Sequence, residues 1–327
     1  MTGGALRRVD RRRLAISPAE ILCVSCVRNE ALRLPFFLDY HRRLGINRFF
    51  VVDNGSDDGT TDLLLEAEDV HLFVTEQRFS ESRYGVEWLN GILGAYADGH
   101  WTLTADADEL FVYPLCEEVN LSALAAYLER QDEEALVTFL LDMYGGQAIR
   151  DTPYSDGRSF LDVCPYFDRD SYVWDRSREG YASVPIYGGP RARLFWAGHN
   201  WGRPAPFLAK IPFVRWRYGL SYSASTHVLS GARTADATGV LLHFKFFSDF
   251  VARARLEASR AEHWEGAAQY RIYDEVLSND PDLRLLYDGS VRYEGSRQLV
   301  ALGLARMPQD YPAGDTARVD AGGHISG

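Results

Sequence analysis

Three polar clusters each close an apolar run: Arg28-Asn29-Glu30, Asp53-Asn54-Gly55-Ser56 and Asp106-Ala107-Asp108-Glu109. Carboxylates dominate them, and carboxylates gathered at one place repel one another. A hard divalent cation, Mg²⁺ or Mn²⁺, is the natural counter-charge, because carboxylate oxygens suit it. Such ions are usually held by one or two carboxylates plus substrate phosphates, so a diphosphate would complete the shell. The metal would then act as a Lewis acid on a departing diphosphate.

The elements around the clusters say why they should meet. Ile21–Val27 is a short apolar run, as expected of a parallel strand covered on both faces. Over residues 31–44 the period changes: Leu34, Phe37, Leu38, His41 and Leu44 share one helical face, and Gly45 stops the helix. Phe49–Val52 predicts a second strand, and the following Asp53–Thr60 is a turn rich in helix-capping residues. A short helix carrying Leu63, Leu64 and Ala67, a third strand at Val70–Thr75, a helix over 84–98 and a fourth strand at Trp101–Thr104 follow. Alternating strands and helices imply an α/β fold with a doubly wound, mainly parallel sheet. In such sheets ligands bind at the carboxyl ends of the strands, where all three clusters lie.

The motifs C-V-R-N-E, V-V-D-N-G-S-D-D-G-T and D-A-D-E, in that order, resemble the pattern of family 2 glycosyltransferases. The likeness is greatest to a subgroup with an R-N-E opening and the helix Phe37-Leu38-Asp39-Tyr40-His41-Arg42-Arg43-Leu44-Gly45. It covers residues 21–114 well and is looser beyond, at Asp142-Met143-Tyr144-Gly145, Gly188-Gly189-Pro190-Arg191 and Leu242-His243-Phe244-Lys245. The resemblance implies a GT-A fold, transfer from a nucleoside-diphosphate sugar (a UDP-sugar favoured) to a saccharide or lipid-linked glycan, and inversion at the anomeric carbon. It also implies roles. Glu30 and Asp53 match positions that contact base and ribose, and Arg28 belongs to the same cluster. Arg83 and Asn90 match a segment lining the nucleotide pocket. Asp106 matches the acid that reaches ribose or metal-bound water, and Asp108 the one that ligates the metal.

A late histidine is the expected third ligand. His243 sits in a strand-like run, Val240–Lys245, that would bury it, and Lys245 at i+2 shares its face and could meet the diphosphate. His227 is the competitor for the metal, or lies toward the acceptor. For the base that takes the acceptor's proton, Asp142 is the first choice, with Asp168, Asp170 and Glu179 as rivals. Arg191 and Arg193 follow a Gly-Gly-Pro turn and could pair with phosphate, an acidic sugar or the chain's own acids. Trp174, Tyr181, Tyr187, Trp196, Trp201, Trp216 and Tyr218 could stack on acceptor sugars or simply pack. The lesser alternative for Asp53 and Asp57 is that they are simply turn and N-cap residues.

Residues 1–19 read as a basic flexible arm, with Arg7, Arg8, Arg11, Arg12 and Arg13 either solvated or touching anionic lipid headgroups. Residues 20–245 form the GT-A domain, with 20–114 as its nucleotide-sugar half and 115–245 as its acceptor half. Residues 246–307 read as a helical extension that packs on the domain or mediates a homodimer. Residues 308–327 read as a disordered tail. Cys23 and Cys26 fall inside an apolar run and, with Cys116 and Cys164 isolated, read as core cysteines rather than a zinc site. The net charge of −11 disfavours nucleic acid as a partner. Without an apolar run of membrane-spanning length or a signal peptide, a cytoplasmic protein, peripheral at most to the membrane, is expected. Two other functions stay open. A sugar-nucleotide nucleotidylyltransferase would share fold and acids but normally has a Gly-rich loop after the first strand. A non-catalytic glycan-binding protein would keep the aromatics and need no metal.

Overall fold

A computed structural model describes residues 6–174, 185–198, 200–202, 204–223 and 225–312. Nine strands make one mixed sheet: β1 (Arg7–Arg8), β2 (Leu22–Val27), β3 (Arg48–Asp53), β4 (Val70–Val74), β5 (Trp101–Thr104), β6 (Glu109–Val112), β7 (Ala135–Asp142), β8 (Ala209–Arg215) and β9 (Thr234–His243). Their order is β1-β4-β3-β2-β5-β8-β7-β9-β6. Strands β4, β3, β2 and β5 run parallel, in the doubly wound order expected from the alternating pattern. Beyond them the sheet turns mixed: β8 is antiparallel to both β5 and β7, β9 is parallel to β7, and β6 closes the edge antiparallel to β9.

Helices cover both faces. On one, α1 (Leu34–Leu44), α2 (Thr60–Glu66) and α4 (Leu121–Arg130) bury Leu34, Phe37, Leu64 and Leu124 against Cys23, Phe49, Val51 and Leu103. On the other, α3 (Val86–Tyr96) packs Val86, Leu89, Ile92 and Leu93 against Val24, Phe50, Val52 and Phe73. The sheet residues alternate between the two faces, and each fully buried Leu or Phe contributes roughly 1.5–3 kcal/mol. α1 ends where Gly45 adopts φ 111°, a left-handed cap that side chains with a Cβ rarely take, and its N–H returns to Arg42 O. The fold is thus a GT-A-like, doubly wound α/β sheet with a C-terminal helical region.

Both chain ends depart from expectation. Residues 6–16 are not a free arm. Arg7 and Arg8 pair antiparallel with Val74 and Phe73, and the buried Asp10 accepts hydrogen bonds from Arg8, Arg12 N and Leu72 N. His71 lies beside Asp10 and Arg8, and Arg12 donates to Val70 O and Leu65 O. An edge strand needs partners for its backbone groups, and this segment supplies them. At the other end Tyr311 is buried against Tyr127, and Asp310 accepts from Gln131, so residues 308–312 are packed. The rest of the expected tail, 313–327, lies outside the described residues.

The extension packs on the domain. α5 (Phe250–Arg260) and α6 (Trp264–Asn279) pack against each other and cluster with Tyr144, Phe195 and Phe246. The strand Ser290–Arg292 pairs with Tyr166–Asp168, and α7 (Ser296–Ala301) follows. No helix among the described residues is long and apolar enough to cross a membrane. The four cysteines are free, with Cys23 and Cys164 buried.

Candidate metal centre

The register of three neighbouring strands brings the central groups together. His243 at the end of β9 lies opposite Asp142 of β7 on one side and Glu109 of β6 on the other. Directly opposed residues point to the same face, so the three side chains form one row. Asp108, just before β6, is fixed by its carbonyl, which accepts from Phe244 N at 2.8 Å.

One ligand atom from each of Asp108, Glu109 and His243 lies within 4.8 Å of the others. His243 Nδ1 is 2.6 Å from Asp142 Oδ1, and its Nε2 is 3.5 Å from Asp108 Oδ2. Burial pushes the Asp142 carboxyl up, but Arg191 and His243 more than reverse this, so it stays ionised. Nδ1–H therefore donates to Asp142, and Nε2 is the atom turned toward Asp108. Burial lowers the His243 pKa, yet Asp108 and Asp142 outweigh it and the net shift is upward. For Asp108 the balance tips the same way: burial opposes the charge, and His243, Lys245 and Arg253 hold the carboxyl far below its usual range.

Glu109 behaves differently. Burial pushes it up to about 7, with repulsion from Asp106 and Asp108 adding to the shift and Lys210 opposing it. Its Oε1 accepts from Lys210 Nζ at 2.5 Å and its Oε2 from Asp106 N at 3.2 Å. Lys210 also reaches Asp106 Oδ2 at 3.0 Å. Among the described residues, Lys210 pairs with Asp106 and Glu109, Arg191 with Asp142, and Asp108 pairs with His243 and feels Lys245 and Arg253. Two carboxylates and an imidazole converging within 4.8 Å fit a divalent cation.

The other sequence candidates spread around this centre. Arg28 donates to Asn54 O and borders a cavity of about 330 Å³ at the ends of β2, β3 and β4, lined also by Gln77, Arg78, Arg260 and Glu262. Glu30 is buried between Arg33 at 3.3 Å and Arg253 at 2.6 Å. Asp53 accepts at Oδ1 from Ser56 and at Oδ2 from Thr61, which ties the turn together. Arg83 donates to Ser223 O, and Asn90 exchanges both amide atoms with the backbone of Tyr222, so both tie α3 and its entry to the short strand Ser221–Tyr222 and the residue after it. Lys245 lies over the rings of Phe250, Tyr270 and Tyr273. His227 faces Ala209 O, with its pKa pushed down to about 4 by burial and by Lys210, and it is not in the metal cluster. Arg191 Nε bonds Asp142 Oδ2 at 2.7 Å, so both Asp142 oxygens are engaged. Asp168 is a buried clamp for Tyr144 and Arg193, while Asp170 is exposed and accepts from Tyr287. Glu179 and Tyr181 lie outside the described residues. Trp196 and Trp216 are buried in packing, whereas Trp174 and Tyr218 are exposed.

Sequence reasoning missed Lys210 and Arg253. A lone lysine inside the apolar run Phe207–Phe213 is a readable signal, since it must find acids. Arg253, on a helix surface two hundred residues from Glu30, leaves none.

No family model matches the chain. Among curated proteins it is similar to a glycosyltransferase family 92 protein of Oryza sativa subsp. japonica, 30% identical over 105 residues, covering 29% of this chain and 17% of that protein. A family 92 protein of Ricinus communis is 24% identical over 148 residues, covering 41% and 24%. The matched stretch thus spans under a quarter of these relatives' length. Among solved structures, 4-diphosphocytidyl-2C-methyl-D-erythritol synthase matches with 18% identity and TM-score 0.25, over 40% of this chain and 64% of that one. The inositol-1-phosphate CTP transferase of T. maritima matches with 10% identity and TM-score 0.27, over 80% and 82%. Such values carry no argument about activity. The chain has a GT-A-like fold with a candidate metal triad, and the similarities do not single out family 2 or any other one family.

Proposed function

We propose that the protein is a metal-dependent glycosyltransferase that moves a sugar from a nucleoside-diphosphate sugar to a saccharide or glycan acceptor. The observation carrying this is the Asp108–Glu109–His243 cluster at the carboxyl end of a doubly wound sheet. The stretch of similarity to family 92 glycosyltransferases supports it. Mn²⁺ or Mg²⁺ bound there would supply Lewis acidity to the leaving diphosphate. The chain's own groups do the rest. Asp142 fixes the His243 tautomer so that Nε2 faces the metal position, which makes it a positioning residue in this reading. Lys210 neutralises Glu109 and Asp106. The cavity beside Arg28 would take the nucleotide.

Nucleotidyl transfer is the second reading, because cationic Lys210 and Lys245 beside the acids would suit a triphosphate as well as a diphosphate. One experiment separates them. The protein is incubated with Mn²⁺ and either UDP- and GDP-sugars or nucleoside triphosphates plus sugar 1-phosphates. Metal-dependent release of nucleoside diphosphate supports glycosyl transfer, and release of pyrophosphate supports nucleotidyl transfer. Release of neither, with no nucleotide bound, would leave a glycan-binding role.

A further inference from the structure

His71 lies in β4, is fully buried and takes no part in the metal centre. Its Nε2 is 2.9 Å from Arg48 Nη1, and its Nδ1 is 3.2 Å from Arg8 Nη2 and 3.3 Å from Asp10 Oδ1. A guanidinium can only donate, so Nε2 accepts from Arg48 and the single proton of the neutral ring sits on Nδ1, toward Asp10. A second ring proton would point at the Arg48 N–H. The nearby carboxylates are already engaged: Asp10 accepts from Arg8, Arg12 N and Leu72 N, and Glu20 accepts two bonds from Arg48. The Arg12 side chain is turned to Val70 O and Leu65 O. Tyr96 of α3 and Asp69 act at longer range, on Arg8 and Arg48 respectively, and the Phe50 ring packs on the imidazole with centroids 5.2 Å apart.

Burial holds the imidazole pKa below its usual value, with Arg8 and Arg48 adding to that shift and Asp10 opposing it. Asp10 stays ionised far into acid, because its bonds from Arg8, Arg12 N and His71 outweigh its burial, and the bond from Arg48 lowers Glu20 as well. His71 is therefore the first member of the cluster to change charge on acidification. The core strands supply Arg48 and His71. Arg8 and Asp10 come from a segment held on β4 by two paired residues, by Val9 N on Leu72 O and by the Asp10 cluster itself. We infer that residues 6–12 are a strap released by acid, with His71 as the switch: its protonation undocks the segment and bares the outer edge of β4. The undocked, solvated ring binds its proton more readily than the docked one. Docking is thus complete above the usual histidine value, about 6.5, and weakens as pH falls from there toward the docked value, by up to about tenfold per unit.

The test is amide hydrogen exchange of the full chain from about pH 8 down to about pH 5, corrected for the intrinsic pH dependence of exchange, on the wild type and His71→Gln. In the wild type, protection of the Val9 and Leu72 amides is expected to fall about fivefold or more across that range, while that of Val24 and Val51, inside the sheet, holds. In His71→Gln, whose side chain does not titrate, the fall disappears. If the glutamine variant leaves the strap unprotected at every pH, Arg48→Met takes its place: with the donor that opposes a second ring proton gone, the total fall should shrink. Wild-type protection that holds down to about pH 5, a glutamine variant that loses protection as the wild type does, an undiminished fall in Arg48→Met, or core amides that open together with Val9 would each overturn the switch.

Discussion

Asp142→Asn separates two roles for the most enclosed acid of the site. Asp142 accepts from His243 Nδ1 and from Arg191 Nε, and its side chain has no exposed surface. Asparagine keeps the shape and removes the charge. If its oxygen faces His243, its NH₂ meets the Arg191 N–H, and two donors confront each other. If it flips, the NH₂ faces Nδ1, and the ring must carry its proton on Nε2, which then cannot bind a metal. Either way Arg191, almost fully buried, loses its counter-charge, and breaking such a pair costs about 3–5 kcal/mol. Loss of a group that orients a metal-bound histidine typically costs about 10–100-fold in metal affinity. Urea unfolding reads the first quantity and titration of free Mn²⁺ by electron paramagnetic resonance reads the second. A variant with unchanged unfolding midpoint and unchanged Mn²⁺ affinity, but slowed turnover, would refute the positioning argument and return Asp142 to the role of base.

The parallel half of the fold was legible because its signals are local. Ile21–Val27 and Phe49–Val52 are apolar runs, and the helix between them repeats every three to four residues. The mixed half was not, because β8 inserts antiparallel between β5 and β7 through pairings 70 to 114 residues apart. No local pattern encodes such a register. The N-terminal arm misled for a related reason: its arginines look solvated until Asp10 and His71 are seen to be buried beside Arg8. At the site, Asp108 and His243 were readable as an acid after a strand and a histidine inside one. Glu109 belonged to the quoted cluster, but its place among the ligands depends on the β6–β9 register, which brings it opposite His243. Arg83 and Asn90 are expected at the nucleotide from resemblance, and in the structure one Arg83 nitrogen and the Asn90 amide bond backbone groups of Ser223 and Tyr222. Only the packed structure could show those backbone partners.

The two histidines should respond differently to substitution. His243→Gln is expected to lower Mn²⁺ affinity by about 10-fold or more, while His227→Gln, outside the cluster, leaves it within about 2-fold; equal losses in both would refute the choice of ligand. Metal binding should also depend on pH with a definite sign. Burial raises the Glu109 carboxyl to about 7, so without metal the folded protein favours its protonated form. An acid whose pKa is raised on folding stabilises the fold at low pH, and that contribution falls as pH rises from its unfolded value, about 4.5, toward 7. Metal requires the ionised carboxylate and the neutral His243, whose own pKa is also raised, so protons compete at two ligands. Mn²⁺ affinity should therefore fall as pH drops below about 7, by up to about 10-fold per unit for each proton displaced. In Glu109→Gln the overall affinity drops and the remaining dependence follows His243 alone. A pH-independent Mn²⁺ affinity between pH 5 and 8, measured by the same resonance titration, would show that neither group gives up a proton to the metal.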